Sequence, residues 1–113
     1  MHEASIAQNL LEIILDKARE CKANKITLIK LKIGDFAGIN QDSLRFAFEN
    51  YSKGTLAEEA FLKITPIPLL GKCRKCNETF KIKKDEFKCS KCGSVEVDII
   101  SGEDLYVENI EIE

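Results

Sequence analysis

A chain of 113 residues, 44% apolar and 32% charged with a formal net charge of −2, suits one compact domain or a domain carrying a small module. The near-neutral balance argues against a general polyanion binder, and no apolar run approaches the roughly 18 residues that mark a membrane-spanning helix. Glu3, Gln8 and Asn9 break any basic-then-apolar leader pattern, so a cytoplasmic protein is expected, and five cysteines with four in two close pairs point to reduced thiols around a metal.

In chain order, Ile6, Ala7, Leu10, Leu11, Ile14, Leu15, Ala18 and Cys21 recur at helical spacing opposite Gln8, Glu12, Asp16 and Arg19. This predicts an amphipathic helix capped by Ser5, with Met1 to Glu3 outside it and Cys21 buried as an inert thiol. In "KITLIKLKIG", Ile29, Leu31 and Ile33 alternate with Lys30 and Lys32 as in a half-buried strand that Gly34 ends. After the loop "DFAGINQDS", Leu44, Ala47, Phe48 and Tyr51 fall at i, i+3, i+4 and i+7. They mark a second helix, capped by Asn40 or Asp42 and closed by Gly54. "AFLKITP" reads as a short strand stopped by Pro66 and Pro68.

The composition then shifts. Leu69 to Ser94 holds eight Lys or Arg against three Asp or Glu, together with all four paired cysteines. Beyond it, "VEVDII" and "DLYVENIEIE" read as two strands parted by Ser101-Gly102, and the apolar phase slips between Leu105/Val107 and Ile110/Ile112. The order predicts an α+β fold: a small mixed β-sheet with two α-helices, plus an inserted four-cysteine, zinc-ribbon-like module. The module is assigned residues 69–100, and residues 1–68 with 101–113 form the α/β part.

The module contains C-x2-C, twelve residues, and C-x2-C, formed by Cys73, Cys76, Cys89 and Cys92. A two-residue spacing lets both sulfurs of a pair face one ion, and Asn77 and Gly93, which follow the pairs, are the residue types that best tolerate the left-handed turn this needs. The intervening residues fit a short hairpin, with Phe80, Ile82 and Phe87 to cover the sulfurs. Four thiolates fill zinc's shell, so the ion is expected to be structural and not catalytic. The module's lysines also admit a zinc-ribbon adaptor binding nucleic acid or protein. Aromatic stacking platforms are sparse, however, with no Trp, and nucleic acid is not the expected partner. No phosphate-binding loop, dinucleotide motif or nucleophile beside a histidine is present, so the chain is not read as an enzyme.

His2 is the single histidine. A lone histidine near a terminus is ordinarily a solvated surface residue. Its alternative has definite chemistry, because a free α-amine, the first amide nitrogens and an imidazole at position 2 make adjoining chelate rings. Such planar nitrogen donors suit Ni(II) or Cu(II).

At this point the sequence resembles the hydrogenase nickel-incorporation family HypA. The likeness rests on Met1-His2-Glu3 running into an apolar helix, on Ile33-Gly34-Asp35 after the first strand, on the two CxxC pairs, and on the ending "GEDLYVENIEIE". It covers nearly the whole chain in order. It implies a nickel metallochaperone that binds Ni(II) as cargo through His2 and Glu3 and holds structural Zn(II) at Cys73, Cys76, Cys89 and Cys92. It further implies work with the GTPase HypB and delivery to the [NiFe]-hydrogenase large subunit precursor. Urease maturation factors and a weak homodimer stand as further partners, with no nucleic acid and no membrane. In some members an acidic residue after the first strand also contacts nickel; here Asn40 stands near that place, with Asp42 close by. Histidines that some members carry around the second CxxC are absent, so coupling of the two metal sites through them is not expected.

Overall fold

The computed structural model describes residues 3–83 and 86–113. The element order is α1 (Glu3–Glu20), β1 (Ile26–Gly34), α2 (Gln41–Ser52), β2 (Phe61–Ile67), β3 (Leu70–Cys73), β4 (Thr79–Lys81), β5 (Val97–Ser101) and β6 (Leu105–Ile112). They form an α+β structure with two three-stranded sheets, ordered β2-β1-β6 and β4-β3-β5. No helix among the described residues is long and apolar enough to cross a membrane.

The chain divides into two compact units. The first comprises residues up to Lys32, Gly38–Thr65 and Tyr106–Glu113, and the second comprises Ile33–Ala37 and Pro66–Leu105.

In the first unit α1 packs on α2. The α1 stripe of Ile6, Ala7, Leu10, Leu11, Ile14 and Ala18 is buried, as its spacing predicts. The helix starts earlier than Ser5, however. Glu3 lies in its first turn, where a carboxylate meets the positive end of the helix dipole, and Ser5 is an exposed helical residue. The far end is a Schellman turn: Ala23 N–H bonds the Ala18 carbonyl at 3.0 Å, Lys22 N–H bonds that of Arg19 at 3.0 Å, and Lys22 has a φ of 56°. This turn carries Cys21 out of the core, so the thiol expected to be buried is exposed.

Strand β1 buries Ile26, Ile29, Leu31 and Ile33, while Lys30 and Lys32 stay half-exposed. Asn40 caps α2, its side-chain Oδ1 accepting the Ser43 N–H at 2.9 Å. Leu44 and Phe48 are buried in α2, but Tyr51 is 42% exposed and Ser52 occupies the interior position beside it. The Ser52 hydroxyl donates to the Glu49 carbonyl at 3.1 Å, which makes its burial tolerable. Gly54, with φ of 79°, closes the helix.

Pro66 does not stop β2; the strand continues to Ile67. Strand β2 lies at a sheet edge, where a missing N–H removes no ladder bond. The opposite edge is β6, whose half-buried residues are Leu105, Val107 and Ile110, so the apolar phase does slip at Glu108-Asn109.

Candidate metal centre

The second unit is built on the antiparallel sheet β4-β3-β5. Leu69, Cys73, Phe80, Ile82 and Cys89 form its buried cluster, with Phe87, Val97 and Ile99 packed against it. Two glycines serve the backbone here. A Cβ at Gly71 would meet Val97 and Ile82 side-chain atoms at 2.7 and 2.9 Å. Gly102, at φ of 107°, passes so close to Leu69 that a Cβ would stand 2.6 Å from its Cα. The Ile33-Gly34-Asp35 segment is tied into this unit. Gly34 N–H reaches the Asp104 carbonyl at 2.7 Å, Asp35 N–H that of Ile67 at 2.9 Å, and Phe36 N–H that of Gly102 at 2.8 Å. Phe36 and Phe87 meet edge to face with centroids 5.6 Å apart.

Each cysteine pair forms a knuckle, and the two knuckles repeat one another. In the first, Cys73 N–H donates to the Glu78 carbonyl at 2.9 Å and Asn77 N–H to the Cys73 carbonyl at 2.9 Å. In the second, Cys89 N–H donates to the Ser94 carbonyl at 2.8 Å and Gly93 N–H to that of Cys89 at 3.0 Å. Asn77 and Gly93 have φ of 63° and 77°, the left-handed turns their residue types favour.

The knuckles bring Cys73, Cys76, Cys89 and Cys92 together, with all four sulfurs within 4.8 Å of one another. Between the pairs, the Cys73–Cys92 and Cys76–Cys89 sulfurs are 3.6 and 3.5 Å apart. A tetrahedral ion with sulfur bonds of about 2.3 Å sets an edge of about 3.8 Å, so the cage fits zinc and is far too open for disulfides. With four sulfur donors it leaves no position for a reacting water.

Backbone amides favour the thiolate form of two of the sulfurs. Cys76 N–H donates to Cys73 Sγ at 3.4 Å, while Lys91 and Cys92 N–H donate to Cys89 Sγ at 3.3 and 3.4 Å. The Cys92 amide, helped by that of Lys91, outweighs burial and holds the Cys89 thiol down at about 6. The Cys76 amide does the same to Cys73, whose thiol is also lowered. At Cys76 the Glu78 amide pulls downward, but burial and the neighbouring sulfurs prevail and push the thiol up to about 12. A cation that replaces the retained protons relieves this crowding.

The other sequence-predicted site lies at the N-terminus, where His2 falls outside the described residues. Glu3 and Asn40 are brought together: the Glu3 carboxylate accepts the Asn40 N–H at 3.4 Å, while Asn40 Oδ1 serves the α2 cap. Asp42 is exposed in the first turn of α2. The Glu3–Asn40 link bridges 37 positions of sequence and had no local signal.

Fold and cluster together define a small metal-handling protein with a cysteine-knuckle unit. The family model described as "Hydrogenase/urease nickel incorporation, metallochaperone, hypA" matches residues 1–112. Hydrogenase maturation factor HypA of Chlorobaculum tepidum is 43% identical over 113 residues, covering all of both chains. That of Dehalococcoides mccartyi strain 195 is 39% identical, covering 100% of this chain and 95% of the relative. The solution structure of the Ni metallochaperone HypA from Helicobacter pylori superposes with a TM-score of 0.71 at 26% identity, covering 99% of this chain and 97% of that one. A second HypA solution structure gives 0.76 at 26% identity, covering 100% and 97%.

The chain belongs to the HypA family of hydrogenase/urease nickel-incorporation metallochaperones. It is a maturation factor and not an enzyme.

Proposed function

We propose that this chain takes up Ni(II) at its N-terminus and passes it, together with the GTPase HypB, to the [NiFe]-hydrogenase large subunit precursor in the cytoplasm. His2 supplies imidazole, and the Met1 amine, when free, and the first amides complete a planar nitrogen set. Glu3 stands beside them as an additional ligand. Zinc sits at Cys73, Cys76, Cys89 and Cys92 as a structural ion. HypB supplies the nucleotide hydrolysis for which this sequence has no phosphate-binding loop.

The observation that carries this reading is the family match running from the Met1-His2-Glu3 start through the second cysteine pair. A site built on a chain end opens more readily than a closed cage, which suits transfer. The cysteine cage is the reverse, a full set of donors held by a folded unit.

Nickel titration of untagged protein tests the reading. His2→Ala should abolish nickel binding and leave zinc content and helical signal unchanged. A few residues added before Met1 convert the amine to an amide and should weaken binding severely. An extended protein that binds nickel as tightly as the native one, with planar coordination by absorption spectroscopy, would refute the amine as ligand. Absence of micromolar association with HypB would count against the transfer partner.

A further inference from the structure

The charge of this chain is segregated. Residues 69–94 carry eight basic and three acidic side chains, while the other 87 residues carry nine basic and sixteen acidic. Within the second unit three of those lysines converge: Lys81, Lys83 and Lys88 line a cleft of about 370 Å3 over the Cys89 knuckle, where Ser90 also contributes and Glu86 is the one carboxylate among the described lining residues. All three lysines are exposed.

Their neighbours on the chain behave differently. Arg74 reaches Asp98 at 3.5 Å and Lys75 reaches Glu96 at 4.0 Å, so the two basic residues inside the first knuckle have carboxylate partners on or next to β5. Lys81, Lys83 and Lys88 have none within 4.0 Å among the described residues. Three like charges around one small opening repel one another; four thiolates with one Zn2+ beneath sum to −2 and offset part of this, and a ligand of opposite sign relieves the rest.

The chemistry around the cleft selects the anion. Lysines bind phosphate as point charges, but a phosphate cradle adds free backbone amides, and here the Lys91 and Cys92 amides are committed to Cys89 Sγ and that of Gly93 to the Cys89 carbonyl. A single-stranded nucleic acid needs open aromatic faces, yet Phe80 is 8% exposed inside the core and Phe87 is half-buried against Phe36. What remains is a set of flexible ammonium groups without rigid donors. Such point charges match carboxylates spaced along a polypeptide.

We propose that the Lys81–Lys83–Lys88 cleft is a docking surface for an acidic, Asp/Glu-rich segment of a partner protein. The partner's carboxylates seat beside the second knuckle. The surface is an addition to the nickel reading and stands or falls apart from it, since neither His2 nor Glu3 takes part. Exposed charge pairs are individually weak, so the contact is transient and sensitive to salt.

The test uses zinc-loaded full-length chain without nickel and three probes: a short alternating Glu-Gly peptide, its Lys-Gly counterpart and an oligo-dT strand. The Glu-Gly peptide should shift the amides of Lys81, Lys83, Lys88 and Ser90 in heteronuclear NMR, and raising the salt should weaken it. The combined variant K81Q/K83Q/K88Q should lose binding about tenfold or more, as three weak pairs together predict, with zinc content and first-knuckle amides unchanged. The proposal is overturned if oligo-dT binds this face more tightly than the acidic peptide, or if the Lys-Gly peptide binds equally. It is also overturned if the shifts map elsewhere or the triple variant binds as well as the native chain. Sedimentation that shows the native chain self-associating, with the triple variant monomeric, would assign the cleft to the chain's own acidic surface and also refute the proposal.

Discussion

Replacing Cys89 with serine should unfold the second unit and leave the first standing. The buried cluster of that unit contains five side chains, two of which are the cysteines Cys73 and Cys89. Within the cluster only Leu69, Phe80 and Ile82 remain as buried hydrocarbon, joined in the unit by Ile33, and at about 1.5–3 kcal/mol each the four supply about 6–12 kcal/mol. A structural zinc bound by four such ligands is worth about 10–16 kcal/mol of folding free energy in small peptides, so the ion outweighs the hydrocarbon core. Cys89→Ser removes a sulfur that is 3% exposed and receives two amide N–H groups. A hydroxyl neither binds zinc as a thiolate does nor reaches those donors equally. At 45 residues the unit stands just above the size of about 40 below which a domain rarely holds without such a staple. The first unit has its own core, with Ile14, Ile26, Ile29, Leu31 and Leu44 nearly or wholly inaccessible, and should persist. Heteronuclear NMR with metal analysis reads both at once: amides of residues 70–101 should collapse toward random-coil positions as zinc is lost, while those of α1, β1 and α2 stay dispersed. Cys21→Ser, at an exposed thiol, is the control and should change neither. Dispersed amides throughout residues 70–101 in the metal-free variant would show that the hydrocarbon alone suffices and would refute the reasoning.

Gly102→Ala should destabilise the second unit by about 3 kcal/mol in urea titration, because the new methyl group meets Leu69 backbone from a φ of 107°. A change under about 0.5 kcal/mol would mean that the loop simply moves aside. Mild alkylation of the zinc-loaded protein should modify Cys21 alone, as the one exposed thiol outside the cage, and a strong chelator should open the other four; peptide mass mapping reads both.

Much of this molecule follows from local pattern. The α1 stripe, the alternation in β1, the Asn40 cap and the Asn77 and Gly93 turns depend on interactions within a few residues, which sequence spacing reports directly. The cysteine cage is legible for the same reason inside each pair, since two intervening residues suffice to aim both sulfurs one way. Motif order along the whole chain carried the family likeness.

What the tertiary structure decided lies where distant backbone or a chain reversal sets the outcome. Cys21 continues the apolar stripe yet is exposed, because the Schellman turn at Lys22 ends the helix before that face finds a partner. Pro66 lies within β2 because the strand is at an edge, and edge position is a property of the sheet that no window of sequence contains. Ser52 lies inside while Tyr51 faces out, a choice made by how α2 turns against its neighbours. The meeting of Glu3 with Asn40, of Gly102 with Leu69, and of the two knuckles with each other required the fold to close gaps of 13 to 37 positions. Periodicity reports which face of an element is apolar; only packing determines what that face, or its end, is packed against.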